Sequence, residues 1–235
     1  MSAPIKTWSH TRLVHFDTCK LKARLMFGDR IPEPEQELKP GEVETGLQRG
    51  IRLHQLAEAF VKGSDSIPEE LKPLRKEFLP LQSLFKQNKV VCEEEWAFDH
   101  AWKPIAWDSP DAWLRLKCDA VVRISPKHTL VIDYKTGRRW GNELKHGEQL
   151  ELYALCIFLR DEAVDTVTAE VWYLDQNEIV SKEFSRKDMP DILKRFHKRA
   201  VEFTTCTDFP PNPNMFSCRY CPYSKRGTGH CDKGI

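Results

Sequence analysis

Two runs of residues, WLRLKCDAVVRI (113–124) and TLVIDYKT (129–136), constrain this chain more than any other stretch. The first alternates, with Leu114, Leu116 and Cys118 on one face, as a half-buried strand does. The second is a short apolar run that ends in opposite charges at Asp133 and Lys135. Joined by SPKH (125–128), the two predict a β-hairpin. Side chains at i and i+2 share one face of a strand, so Asp133 and Lys135 project together and Asp119 can join them from the neighbouring strand.

The hairpin sits inside a mixed pattern. Ser9 is a plausible N-cap for an amphipathic helix over 10–27 that carries Cys19. A Pro- and Glu-rich loop (31–42) leads to a helix over 45–63, ended by Gly63, and a third helix over 69–88, with Pro73 and Pro80 near its ends or kinking it. VCEEEWAFD (91–99) reads as a strand that completes a meander with the hairpin. A helix over 148–161, strands over 167–175 and 178–184, and a last helix over 187–205 follow. This order predicts an α/β fold, a mixed α+β sheet with flanking helices. It divides into an N-terminal helical part (1–90), a sheet core (91–185) and a C-terminal helix with a cysteine tail (186–235), all in one domain.

Composition narrows the classes. The 235 residues carry 36 Lys+Arg against 35 Asp+Glu and 40% hydrophobic residues, an ordinary globular balance that excludes a disordered or collagenous chain. The longest apolar run, LYALCIFL (152–159), is far short of the roughly 20 residues of a membrane helix. MSAPIKTWSH has no apolar signal region, so the expected location is the cytoplasm, or a host's cytoplasm for a phage protein. Both ends are basic (+4 over 1–30, +5 over 186–235) around an acidic middle (−5 over 31–100, −3 over 101–185). Such ends suit nucleic acid, or are solvated surface.

Two carboxylates beside an ammonium group are what metal-assisted phosphodiester hydrolysis needs. The carboxylates hold Mg²⁺ or Mn²⁺ and the ammonium orients water or offsets developing charge. A lone Asp-x-Lys pair also fits a surface salt bridge. Two further features favour chemistry: Gln149 and Tyr153 are four apart on a helix, sharing a face, and Gly50-Ile-Arg-Leu-His54 puts a histidine on the second helix.

The series Gly50/His54, Asp119, Asp133/Lys135, Gln149/Tyr153 resembles the PD-(D/E)xK nuclease superfamily, in particular its RecB-like branch with the CRISPR-associated RecB-like exonucleases. That pattern is G-x-x-x-H, D, D/E-x-K, Q-x-x-x-Y, and it is complete here and in order. The resemblance implies that His54, Asp119, Asp133 and the main-chain carbonyl of Tyr134 hold Mg²⁺ or Mn²⁺. Lys135 would position the attacking water, and Gln149 and Tyr153 would support the site or touch the DNA backbone. Glu93, Glu94 and Glu95 are extra carboxylates read as a solvated edge, one of which could instead face the metal.

Cys92, Cys118 and Cys156 lie in apolar segments and read as small buried hydrophobes. Cys218, Cys221 and Cys231 crowd the tail, which in an intracellular chain points to metal. The resemblance adds Cys19 as a fourth ligand and implies a [4Fe–4S] cluster that ties the chain ends together; structural Zn²⁺ also accepts four thiolates. Two features depart from the family: Lys20, not Pro, follows Cys19, and nine residues separate Cys221 from Cys231. The expected activity is a metal-dependent DNA exonuclease on single-stranded or end-bearing DNA, alone or beside a recombination or CRISPR partner protein. Trp102, Trp107, Trp113 and Trp140 are candidates for base stacking or for packing. The alternative is a DNA-binding or adaptor module that kept the fold without the chemistry.

Overall fold

Six strands form one mixed sheet: β1 (Val90–Phe98), β2 (Pro104–Ile105), β3 (Leu114–Ser125), β4 (His128–Lys135), β5 (Thr166–Tyr173) and β6 (Glu178–Ser185). Their order across the sheet is β2-β1-β3-β4-β5-β6. Every neighbouring pair is antiparallel except β4–β5, which is parallel and spanned by helix α5 (Glu143–Arg160). The computed structural model describes residues 2–38, 40–137 and 139–233. Helices α1 (His10–Thr18), α2 (Lys20–Ala23), α3 (Gly46–Val61) and α4 (Arg75–Lys86) precede the sheet; α6 (Met189–Thr205) and the short α7 (Met215–Cys218) follow it. The predicted mixed α/β architecture is thus the one found.

The local signals explain most boundaries. Ser9 Oγ accepts the Arg12 amide at 3.3 Å, and Thr45 and Gln48 form a reciprocal capping box on α3. The first helix is not continuous over 10–27. It breaks at Cys19, whose backbone is extended (φ −162, ψ 114), and resumes as α2 and a π turn over Arg24–Gly28. Residues 69–74 are a 3₁₀ turn containing Pro73, and only then does α4 begin. Helix α5 starts at Glu143, about two turns before its buried apolar stripe begins at Leu150.

The sheet separates two cores. Leu53, Ala57 and Phe60 of α3 and Phe78 and Leu81 of α4 pack on one face with Val90, Cys92, Ala120, Val122, Tyr134 and Trp172. Helices α1, α5 and α6 cover the other face, over Trp96, Phe98, Leu114, Leu116, Cys118 and Val131. Val90 and Cys92 therefore face one core, while Trp96 and Phe98, an even number of residues further on, face the opposite one. Strand β3 does the same between Cys118 and Ala120. Strict alternation forbids this. Both strands must absorb an irregularity, and it falls at Glu93 (φ +56) and Asp119, the two residues the β1–β3 register passes over.

Phe78 anchors the α4 side; it is fully buried, with ring centroids of Trp172 and Tyr134 at 5.1 and 5.5 Å. Phe78→Ala is expected to cost about 3–5 kcal/mol. A thermal melt should show a fall of roughly 6–20 °C for a chain of this size.

Candidate active site

Strands β3 and β4 pair from Ser125↔His128 as far as Ala120↔Ile132, and there they part. At the fork Asp119 Oδ2 accepts the Tyr134 amide at 2.6 Å, so a carboxylate replaces the next ladder acceptor. Asp119 Oδ1 lies 3.1 Å from His54 Nδ1 on α3. Gly50, one turn before His54, brings α3 close to the end of β4: a Cβ there would lie 3.2 Å from Thr136 Oγ1.

The next residues of β4 point into the opening. Asp133 is 2% exposed, with Oδ1 and Oδ2 at 2.9 and 2.7 Å from Lys135 Nζ. Oδ2 accepts no directed hydrogen bond despite that proximity. Tyr153 on α5 has its hydroxyl 3.0 Å from Asp133 Oδ1 and 3.1 Å from the Lys117 carbonyl, and receives a bond from Gln149 Nε2 at 2.8 Å. Asp133, Lys135, Tyr153 and Gln149 thus form one contact set and Asp119 with His54 another, joined through the Tyr134 amide that follows Asp133. The Tyr134 ring turns away, into the α3–α4 core.

Burial raises the Asp119 pKa above the ordinary carboxylate range and the charge of Asp133 adds to this, while the bond from His54 opposes it. Burial alone would lower His54, but the bond to Asp119 and the charges of Asp119 and Asp133 outweigh it, and the net shift is upward. Tyr153 is pushed well above its usual value by burial and the charge of Asp133, so it is a neutral donor.

Glu93 joins this group. Among the described residues, His54, Glu93 and Asp119 offer three ligand atoms that all lie within 4.8 Å of one another. The solvated edge expected for the 93–95 run therefore does not hold for Glu93, which is half-buried and ion-paired with Lys117. Two carboxylates and one imidazole nitrogen suit a hard divalent cation, and Asp133, whose charge acts on Asp119, lies outside this three-residue group. His10 on α1 is a further neighbour that no motif singled out. It is 8% exposed, its Nε2 has no hydrogen bond, and burial, then the charges of Lys135 and Arg199, lower its pKa to about 4.

A groove adjoins the fork. Trp107, Arg12, Arg115, Lys117, Gln149 and Tyr153 line it, together with the first turn of α1. Arg115 lies over the Trp107 ring at 5.6 Å. Trp102 and Trp113 are buried packing residues, whereas Trp107 and Trp140 are exposed.

Cys19, Cys218, Cys221 and Cys231 line one small pocket between α1–α2 and the tail. The Asn212 amide points at Cys19 Sγ (3.4 Å) and the Asn214 amide at Cys218 Sγ (3.3 Å). The tail is drawn onto the N-terminal part by Tyr223, whose hydroxyl donates to the Ile31 carbonyl at 2.9 Å. Cys92, Cys118 and Cys156 are buried in the two cores.

Known proteins resemble this chain mainly in fold. No curated protein matches it by sequence. The solved structure of SSO0001 is 18% identical with a TM-score of 0.51, covering 98% of this chain and 88% of that one. An alkaline exonuclease (LHK-Exo) from Laribacter hongkongensis is 13% identical (TM-score 0.40; 85% and 86% covered). A phage-related exonuclease from Haemophilus somnus 129PT is 11% identical (TM-score 0.32; 87% and 93% covered). A family profile described as the PD-(D/E)XK nuclease superfamily matches residues 7–226, from just before α1 through the whole sheet into the cysteine tail, and the chain belongs to that superfamily.

Proposed function

We propose that this protein is a metal-dependent deoxyribonuclease that acts as an exonuclease on single-stranded or end-bearing DNA. The observation that supports this is the pair of contacts at the fork between β3 and β4, Asp119 with His54 and Asp133 with Lys135, bridged by the Tyr134 amide bound to Asp119. Asp119, Asp133, His54 and the Tyr134 carbonyl hold Mg²⁺ or Mn²⁺. Bound there, the cation supplies Lewis-acid polarisation of a phosphate oxygen and activation of water. Lys135 orients the water that attacks phosphorus and offsets charge as one ester bond breaks. Tyr153, held by Gln149, donates to Asp133 and keeps that carboxylate turned into the fork. Arg12, Arg115 and Lys117 in the adjoining groove meet the phosphate backbone, and exposed Trp107 offers a stacking face. The preference for chain ends rests on the RecB-like motif series, as does a recombination or CRISPR partner.

The four pocket cysteines hold a structural [4Fe–4S] cluster in this reading. Four thiolates also accept structural Zn²⁺, the alternative occupant of this pocket. The two amides aimed at thiolate sulfur stabilise the ligated form.

Three experiments test these assignments. End-labelled single- and double-stranded DNA with Mg²⁺ or Mn²⁺ should be degraded, and blocking the ends should stop it. Asp119→Ala and Lys135→Ala should each slow degradation by about 10²-fold or more. Equal degradation by all three proteins would mark a contaminant, and none by wild type would favour a DNA-binding module. Protons compete with the cation for Asp119 and His54, whose pKa values are both raised. Mn²⁺ affinity, followed by calorimetry, should therefore strengthen as pH rises from about 5 to about 8, and a flat profile would remove both residues from the cation site. Anaerobically purified protein should be brown and carry equal iron and acid-labile sulfide, both lost in Cys218→Ala. Colourless protein with stoichiometric zinc would overturn the cluster.

A further inference from the structure

Glu93 has no part in the motif series, yet its carboxylate is within 4.8 Å of ligand atoms on His54 and Asp119. Its position is deliberate in structural terms. A glutamate with φ +56 inside a strand is strained, and this one sits where β1 changes the face it shows to the two cores. The turn carries the carboxylate to Asp119 across the ladder. There it is ion-paired with Lys117, whose side chain is 48% exposed; Lys117 is also one of the residues that border the groove with Arg12 and Arg115. Asp133, at the far side of Asp119, is nearly inaccessible, its Oδ2 accepts no hydrogen bond, and its charge acts on Asp119.

We propose that Glu93 is an additional cation-holding residue and that Lys117 is its exchangeable counterion: the divalent ion takes the Glu93 carboxylate, and Lys117 turns to the DNA phosphates in the groove. This rests on the cation site proposed above. A carboxylate oxygen that contacts a doubly charged ion gains more than from one ammonium group at the protein edge, where water competes. Loading the cation thereby adds a free positive charge to the surface that the DNA backbone follows, which couples the two binding events.

The test is titration of Mn²⁺ into protein dialysed free of divalent ions, with free Mn²⁺ read by electron paramagnetic resonance and folding checked by circular dichroism. Glu93→Gln, and Glu93→Asn with a residue that tolerates a left-handed backbone, should each weaken Mn²⁺ binding about tenfold or more. Lys117→Met should tighten it, and should do nothing in the Glu93→Gln background. With Ca²⁺, fluorescence anisotropy of a labelled single strand should show tighter DNA binding by wild type than without Ca²⁺, and Lys117→Met should lose that gain. Wild-type Mn²⁺ affinity in both Glu93 variants, with binding lost in Asp119→Asn, would overturn this inference and leave the cation site standing. A Lys117→Met effect undiminished in the double variant would overturn the exchange. Wild type that binds no Mn²⁺ would overturn the cation site and this inference together.

Discussion

The bond from the Tyr134 amide to Asp119 Oδ2 is the interaction on which the rest of the site depends. A strand that ends its pairing in the middle of a sheet must find new partners for its backbone. Asp119 supplies one, and in doing so it lets β4 leave β3 without an orphaned donor. The parting opens the space into which Asp133 and Lys135 turn. The vacated part of β3 is taken up from elsewhere: the Tyr153 hydroxyl meets the Lys117 carbonyl, and Trp8 forms a parallel bridge to Leu114. A carboxylate in this role is buried and hydrogen-bonded on one oxygen, and presents its other oxygen to His54.

Burying acidic groups is unfavourable unless something compensates. Here the compensation is divided between elements that would otherwise have no reason to meet. Lys135 comes from the same strand as Asp133, His54 from α3 on one face of the sheet, and Tyr153 from α5 on the other. Both helices must therefore be held firmly. The aromatic set of Phe78, Tyr134 and Trp172 does this beneath α3 and α4, and the apolar stripe of α5 does it on the far side. Tyr134 belongs to both systems, with its amide in the site and its ring in the core.

What the sequence made legible follows from local periods. Two residues apart on a strand and four apart on a helix each mean one face, so Asp133 with Lys135 and Gln149 with Tyr153 could be paired without a structure. The sheet and its flanking helices came from the same periodicities. Glu93 did not, because alternation cannot announce its own interruption. Val90, Cys92, Trp96 and Phe98 look like one continuous face in the sequence, and only the packing reveals that they serve two cores. The break at Cys19 was hidden for a similar reason, since the apolar spacing runs on through a chain that is locally extended. His10 was invisible because its relation to Asp133 and Lys135 is purely tertiary.

Charge counted by segment overstates what is available to a nucleic acid. The C-terminal segment is strongly basic, yet Arg195 pairs with Glu151, and Arg199 with Asp17 and Glu148. Lys20 of the N-terminal segment is likewise paired, with Glu202. Those cations help dock α6 on α1 and α5 rather than face a partner. The groove beside the fork draws instead on Arg12 and Arg115, with Lys117 beside them ion-paired to Glu93; two of these three come from the acidic middle of the chain. Its field comes from where α1 and β3 place a few side chains and not from any excess of basic residues, so a near-neutral protein can still carry a locally basic groove.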